Sequence, residues 1–495
     1  IYISATHDES APDSLGLGGV SQTTSGVNNY WVDYMVRQSA LAIERAYRAM
    51  RPAQIRYTEV LEPSNVRQCW SSYPFVDDQH IPVLQAVSVG RRPRVIATLA
   101  SVSQHAETLG FNGGTPALDA QNNWVSSDWI NFFRRTLEQR FGGVAIEMAG
   151  AVGSNESPEV YSRSISRIPQ EFIDASHPAG CRTLFKVGPV TDAAGTLHVP
   201  VGYSGETKAF GVDMAQPVIA AFRAGAWYWS GSNTIWGATK SICVPLQNAL
   251  FALGASLGVF AQRPGYNSTC TRASPVLPNG SSAGQALKSE VAAFRIGDGE
   301  FIAVPGEVFP FTFLRGFLGP QDMPTPADPL PPWPQPSMHA RFRFIDGLAE
   351  DMLGYIFPAG NAVGIPTLAN LNPSDTDRFG CGHSDDSESV DANSGNIIGS
   401  ALVGLLAAHD GAPEKVVTGR YVLPGGALSR DPLGGPEIKC NVDQTFRYAG
   451  RAVAVELAGG RRVRPLAWMS LSGLPQRGPD RDTRGYFDSQ GNRVW

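Results

Sequence analysis

The stretch SDWINFFRRTLEQRFGGVAIEMAGAVG, Ser127 to Gly153, carries the reading of the fold. Ser127 to Phe141 predicts a helix with Ser127 or Ser126 as N-cap, and Gly142-Gly143 stops it. Val144 to Met148 predicts a strand that runs into the Gly-rich turn Ala149 to Gly153. Just upstream, Arg94 to Val102 contains Val95-Ile96-Ala97-Thr98-Leu99, a run too short and too β-branched for a helix. Strand, helix, strand and Gly-rich turn in succession form an α/β arrangement. Chemistry in such folds sits on the loops that follow the strands.

Outward from this core, Trp31 to Met50 has helical spacing, with Val32, Met35, Val36, Ile43, Ala46, Tyr47 and Met50 on one face and Ser39 interrupting it; Arg51-Pro52 ends it. Ala292 to Ile296 and Phe301 to Val304 flank Gly297-Asp298-Gly299, a hairpin signature. Pro320 to Pro336 holds eight prolines and reads as an extended surface loop. Ile398 to His409 reads as an apolar helix capped by Gly411. From Pro413 the texture shifts to short β runs, Lys415 to Val422, Arg451 to Leu457 and Arg464 to Leu471. The expected organisation is an α/β domain over 1–412 and a short β-rich region over 413–495.

The 495 residues are 42% hydrophobic and 17% charged, with a formal net charge of -5. A chain of this length can bury a sizeable core without staples. Mixed charge lacks the basic footprint of a nucleic-acid binder. No run of 18 apolar residues exists, so no membrane span is expected; Ala249 to Ala261 is broken by Gly254, Ser256 and Gly258. The six cysteines contain no C-x-x-C pair. Their even number and the low charge favour a secreted, cell-surface or periplasmic protein with up to three disulfides over reduced core thiols. Cys243 and Cys270, the closest pair in sequence, are the first candidates.

Three residues stand out chemically. His7 ends the run Ile1-Tyr2-Ile3-Ser4-Ala5-Thr6, His105 follows the strand from Arg94, and Glu307 follows the bend Pro305-Gly306. Two histidines and a carboxylate at separate strand ends are a common protein set for a catalytic zinc with an open position. No H-E-x-x-H spacing accompanies them.

Six short motifs, in order, resemble those of the neutral/alkaline ceramidase family over roughly residues 1–410. They are Ile3 to His7 with Ala11-Pro12-Asp13, the strand leading to His105, Ser126 to Trp129, Gly150 to Pro158, Val304 to Phe309, and Leu353 to Tyr355. The resemblance implies a mixed-sheet zinc-hydrolase domain that cleaves an N-acyl amide or sphingolipid-like substrate by zinc-activated water. It implies His7, His105, Glu307 and Tyr355 as zinc ligands. Arg67 falls where the family has a substrate-facing arginine, and Ser157 where it has an active-site serine, with Ser154 as competitor. Glu9 replaces the family's second motif histidine and is expected as general base or extra ligand. His383 falls in a later motif whose tyrosine is Ser384 here, and is counted among the catalytic candidates. Asp385, Asp386 and Glu388 make the expected site more negative, unless they form a solvated acidic loop. The family's N-terminal segment is absent, so a second chain carrying it, or an incomplete sequence, is expected. The departures at Glu9 and Ser384 leave a non-catalytic binding or structural protein as the alternative, followed by a zinc esterase or lactonase.

Overall fold

The computed structural model describes residues 2–21, 23–63, 69–70, 78–108, 125–156, 190–191, 197–198, 204–261, 263–274, 285–314, 320, 323–326, 328–378, 382–409, 437–440, 444–449, 452–457 and 461–463. The chain forms two compact units, Pro12–Arg51 with Val417–Trp495, and Tyr2–Ala11 with Pro52–Val416.

The first unit contains helix α1 (Asn29–Arg48). Asn28 caps it by accepting the Trp31 N–H at 3.0 Å, and Arg45 and Arg48 occupy the last turn, where positive charge is favoured. The unit also holds four strands, Glu437–Cys440, Gln444–Ala449, Ala452–Leu457 and Arg461–Val463, paired antiparallel in sequence order. Gly411 and the expected runs Lys415 to Val422 and Arg464 to Leu471 lie outside the described residues.

The second unit is built in four layers around two mixed sheets. Five strands form the first sheet: β1 (Ala53–Leu61), β2 (His80–Ser88), β3 (Val95–Val102), β4 (Val144–Ala149) and β5 (Tyr228–Trp229), in the order β4-β3-β2-β1-β5. Only β3 and β4 run parallel, and helix α2 (Asp128–Phe141) supplies the crossover that a parallel pair needs. Ser127 occupies the N-cap position of α2, but it is the Ser126 hydroxyl that accepts a first-turn N–H, that of Asp128 at 3.0 Å. Helix α3 (Ser204–Ala224) packs beside α2. Trp129, Phe133, Leu137, Phe210, Met214 and Val218 bury one apolar layer against Ile81, Val83, Ala100 and Val102. Each such side chain contributes on the order of 1.5–3 kcal/mol relative to exposure.

The second sheet is formed by β6 (Ile235–Pro245), β7 (Gly265–Tyr266), β8 (Arg272–Ser274), β9 (Ala286–Ile296), β10 (Gly299–Ala303) and β12 (Phe342–Asp346). The hairpin read at Gly297-Asp298-Gly299 joins β9 to β10, and Gly297 has the positive φ of 58° that the turn requires. Strand period 2 puts Phe301, Phe342 and Phe344 toward Tyr57, Leu84 and Met148 of the first sheet. Ile302 and Ile345, one residue on, face the outer cluster with Ala252 and Ala255 of helix α4 (Ala249–Leu257) and Ile398, Leu402 and Leu406 of helix α5 (Ser394–His409).

Two readings change in part, and the cysteine pairing is borne out. The proline-rich segment is exposed at Pro320, Pro326, Pro329 and Pro336, but it is anchored between them. Pro331 and Pro334 are buried, the Asn396 amide on α5 donates to the Pro329 carbonyl at 3.0 Å, and the Trp333 indole donates to Phe311 O at 3.0 Å. Gly399 of α5 is small enough to admit Pro332. The acidic stretch is buried at Asp385 and Asp386, only 4% and 1% exposed, while Glu388 is exposed. Cys243 and Cys270 are disulfide-bonded, with Cα atoms 5.4 Å apart, on β6 and just before β8. No helix among the described residues is long and apolar enough to cross a membrane.

Candidate metal centre

His7, Glu9, His105 and Glu307 come together in the second unit from three segments. Asp8 bridges Ala106 in parallel, and the Glu9 N–H donates to Ala106 O at 3.1 Å, so the opening segment lies beside the end of the β3 loop. His105 is fully buried, and the Trp129 indole N–H donates to its carbonyl at 2.8 Å. Glu307 starts the short strand β11 (Glu307–Val308), which pairs in parallel with β13 (Tyr355–Ile356). Gly306, at φ 157°, makes the bend before it. Gly153 closes the Gly-rich turn against this strand by donating to Val308 O at 2.9 Å.

Glu307 Oε2 lies 3.2 Å from both His7 Nε2 and His105 Nε2, and His7 Nε2 lies 3.3 Å from Glu9 Oε1. His7, Glu9 and His105 each bring one ligand atom within 4.8 Å of the others. Burial alone would raise the Glu307 pKa. The two imidazoles that converge on it, His7 first, outweigh it and hold the carboxyl well below the usual range. Asp8, beside them, has its pKa pushed up to about 7 by burial.

Hydrogen bonding alone does not satisfy this cluster. His105 Nδ1 is 2.8 Å from the Asn155 carbonyl, which can only accept, so Nδ1 carries the proton. In the neutral ring, Nε2 is then a lone pair facing a carboxylate oxygen. His7 Nε2 is buried and meets hydrogen-bond geometry with neither Glu307 nor Glu9. A single cation shared by these atoms satisfies all of them. Their separations also suit zinc: tetrahedral ligands at about 2.0–2.1 Å from the metal stand about 3.3 Å apart. The Asn155 carbonyl fixes the His105 tautomer as an outer-shell partner of a metal-bound histidine does. The donor set therefore fits a divalent cation.

Two non-glycine residues near these segments have left-handed backbones, His7 at φ 54° and Ser154 at φ 63°. Strain of this kind persists where the surrounding structure over-determines it, and such residues cluster at functional sites. The Ser154 hydroxyl is fully buried with no hydrogen-bond partner.

Among the other sequence-derived candidates, Tyr355 is the ladder partner of Glu307 and packs on Phe309 with ring centroids 5.9 Å apart. His383 stands in a pair of its own, Nε2 3.0 Å from Asp377 Oδ2, and makes no hydrogen bond or ion pair with His7, His105 or Glu307. Arg67 and Ser157 lie outside the described residues. Sequence reading missed the Asn155 carbonyl and the Asp377 carboxylate. The first is a main-chain atom, for which no residue type gives a signal.

No protein-family model and no curated protein sequence matches the chain. Among solved structures, it is similar to the neutral ceramidase from Pseudomonas aeruginosa, with TM-score 0.43 and 11% identity over 87% of this chain and 69% of that one. A structure described as a ceramidase complexed with C2 gives TM-score 0.41 and 12% identity over 85% of this chain and 69% of that one.

Proposed function

We propose that this chain is a secreted or cell-surface, zinc-dependent amidohydrolase that cleaves an N-acyl amide bond, with a sphingolipid-like amide as the substrate class. The observation that carries the reading is the convergence of two imidazole nitrogens on one buried carboxylate oxygen, 3.2 Å from each. The order of the sequence motifs supports the amide as the bond cleaved, and the Cys243–Cys270 disulfide supports an oxidising compartment.

His7, His105 and Glu307 would hold the zinc, with Tyr355 on the strand beside Glu307. Zinc bound there supplies Lewis acidity, acidifying water and polarising a carbonyl oxygen. Glu9 is the more exposed carboxylate, and in this reading its Oε1, 3.3 Å from His7 Nε2, would take a proton from water and return it to the leaving amine. The Ser154 hydroxyl is the described candidate for a donor to the developing oxyanion, with Arg67 and Ser157 in the same role by motif position. One such donor is worth about 3 kcal/mol of transition-state stabilisation.

The test is metal analysis of the purified chain together with hydrolysis of short- and long-chain N-acyl amides, for the parent and for His105→Ala. The expected result is one zinc equivalent that depends on His105, and amidase activity, both lost in the variant. A metal-free parent, or a variant that keeps its activity, would end the proposal.

A further inference from the structure

Four buried polar groups without hydrogen-bond partners among the described residues lie on segments that meet at the start of α5. They are His383 Nδ1, Asp386 Oδ1, the Asn361 carboxamide and the Ser394 hydroxyl, on residues 0%, 1%, 0% and 0% exposed. Main-chain links tie their segments together. The Asp386 N–H donates to His383 O at 3.2 Å. Asp386 Oδ2 accepts the N–H groups of Val363 and Gly364, both at 2.6 Å, just after Asn361, leaving Oδ1 unused. The Ala359 N–H donates to Asn396 Oδ1 in the first turn of α5 at 3.1 Å, and the Gly395 N–H to Phe357 O at 3.1 Å.

A buried polar atom left unpaired is costly, so four on linked segments mark a place built around something polar. His383 indicates what that is. Its Nε2–H is committed to Asp377 Oδ2 at 3.0 Å, and both side chains are fully buried. A carboxylate on one ring nitrogen fixes the tautomer, so the other nitrogen presents a lone pair. That is the second-shell arrangement of a metal-bound histidine. The segments linked to it carry an unused carboxylate oxygen, Asp386 Oδ1, and an unused amide oxygen, Asn361 Oδ1, and both are cation donors.

We propose that His383 Nδ1, Asp386 Oδ1 and Asn361 Oδ1 form a second divalent-cation site, with Ser394 at its edge and Asp377 as the positioning residue for His383. One imidazole with two oxygen donors suits a first-row ion of the zinc or manganese class over calcium or magnesium. The site clamps the turn at Asn361 and the short helix Ser384–Glu388 to the start of α5. Its role is structural, and it stands independently of the function proposed for the first centre.

The experiment is zinc titration of the full-length apo chain, with bound metal counted by elemental analysis. The parent is expected to bind two equivalents. His105→Ala should lose one and His383→Ala the other. Asp377→Asn should retain the second equivalent with its Kd raised about 10–100-fold, the effect of losing a second-shell partner. Two equivalents in the parent that are both retained by folded His383→Ala would overturn the proposal, as would a parent binding only the equivalent that His105→Ala removes. If His383→Ala does not fold, the parent stoichiometry and the Asp377→Asn affinity still decide it. A chain that binds only the equivalent sensitive to His383 would uphold this site while refuting the first.

Discussion

Asp346 ends β12 with no exposed surface, and neither carboxyl oxygen meets hydrogen-bond geometry with a partner. Tyr2 and Ser4 approach it, yet the Tyr2 hydroxyl is itself without a well-formed bond. Burial pushes the carboxyl up to about 8, while Tyr2 and Ser4 oppose the shift and Glu350 adds to it. An unfolded aspartate titrates near 3.9. The folded chain therefore keeps a proton that the unfolded chain releases. This stabilisation is complete below about pH 4 and is lost as pH rises toward 8, at about 1.4 kcal/mol per pH unit. Between pH 4 and 7 the loss is on the order of 4 kcal/mol. Asp346→Asn keeps the shape and removes the titration. Urea unfolding followed by tryptophan fluorescence at pH 5, 6 and 7 should show the variant gaining on the parent by about 1.4 kcal/mol per unit. Glu147 is raised in the same direction by burial and by Asp346, so the comparison is repeated in a Glu147→Gln background to separate the two. Parallel curves for parent and variant would refute the assignment of a neutral Asp346.

The disulfide joins residues 27 apart in sequence, so replacing Cys243 and Cys270 with alanine should cost about 3.5 kcal/mol by loop-closure entropy. Denaturation midpoints unchanged by the substitution, or by a reductant, would contradict that. At Gly306, a φ of 157° and the Gly354 carbonyl against an added Cβ leave no room for a side chain. Gly306→Ala should destabilise the chain by about 1–3 kcal/mol and displace Glu307. Calorimetric zinc titration should then show weaker binding at the centre that depends on His105, and an unaltered affinity would break the link between this bend and the ligand set.

Much of the second unit is legible in sequence because its signals are local. The β-branched run at Val95, the paired glycines after Phe141 and the turn at Gly297-Asp298-Gly299 each dictate backbone geometry within a few residues. The positions of His105 after β3 and Glu307 after β10 follow from the same local reading, whereas the run before His7 forms only isolated bridges at Ser4 and Asp8 instead of the expected strand, and the meeting of the three follows from topology. What escaped is non-local. Asp385 and Asp386 look like a solvated run, yet Asp386 spends one oxygen on two main-chain N–H groups more than twenty residues away in sequence, and so is buried. The prolines after Pro320 exclude helix and central strand, as read, but nothing in them announces the groove that Gly399 leaves on α5. Sheet order, and the packing of Phe301 and Phe344 between two sheets, depends on pairings that residue periodicity does not encode.

The buried carboxyls of this unit have opposite electrostatic fates, and that contrast argues for where positive charge belongs. Asp346 and Glu147 lie in surroundings that burial dominates, and they are held neutral. Glu307 is buried as deeply, yet it is held ionised because two imidazoles converge on it. Burying an ion without compensation costs several kcal/mol, so an ionised Glu307 requires a cationic partner of its own. Protonating both imidazoles would place two cations with ring centroids 4.5 Å apart, beside a His105 Nδ1–H already committed to a carbonyl. A divalent ion supplies the same charge at one point and leaves both rings neutral. On this reasoning the carboxyl held ionised by two converging imidazoles marks the ion's position in the first centre.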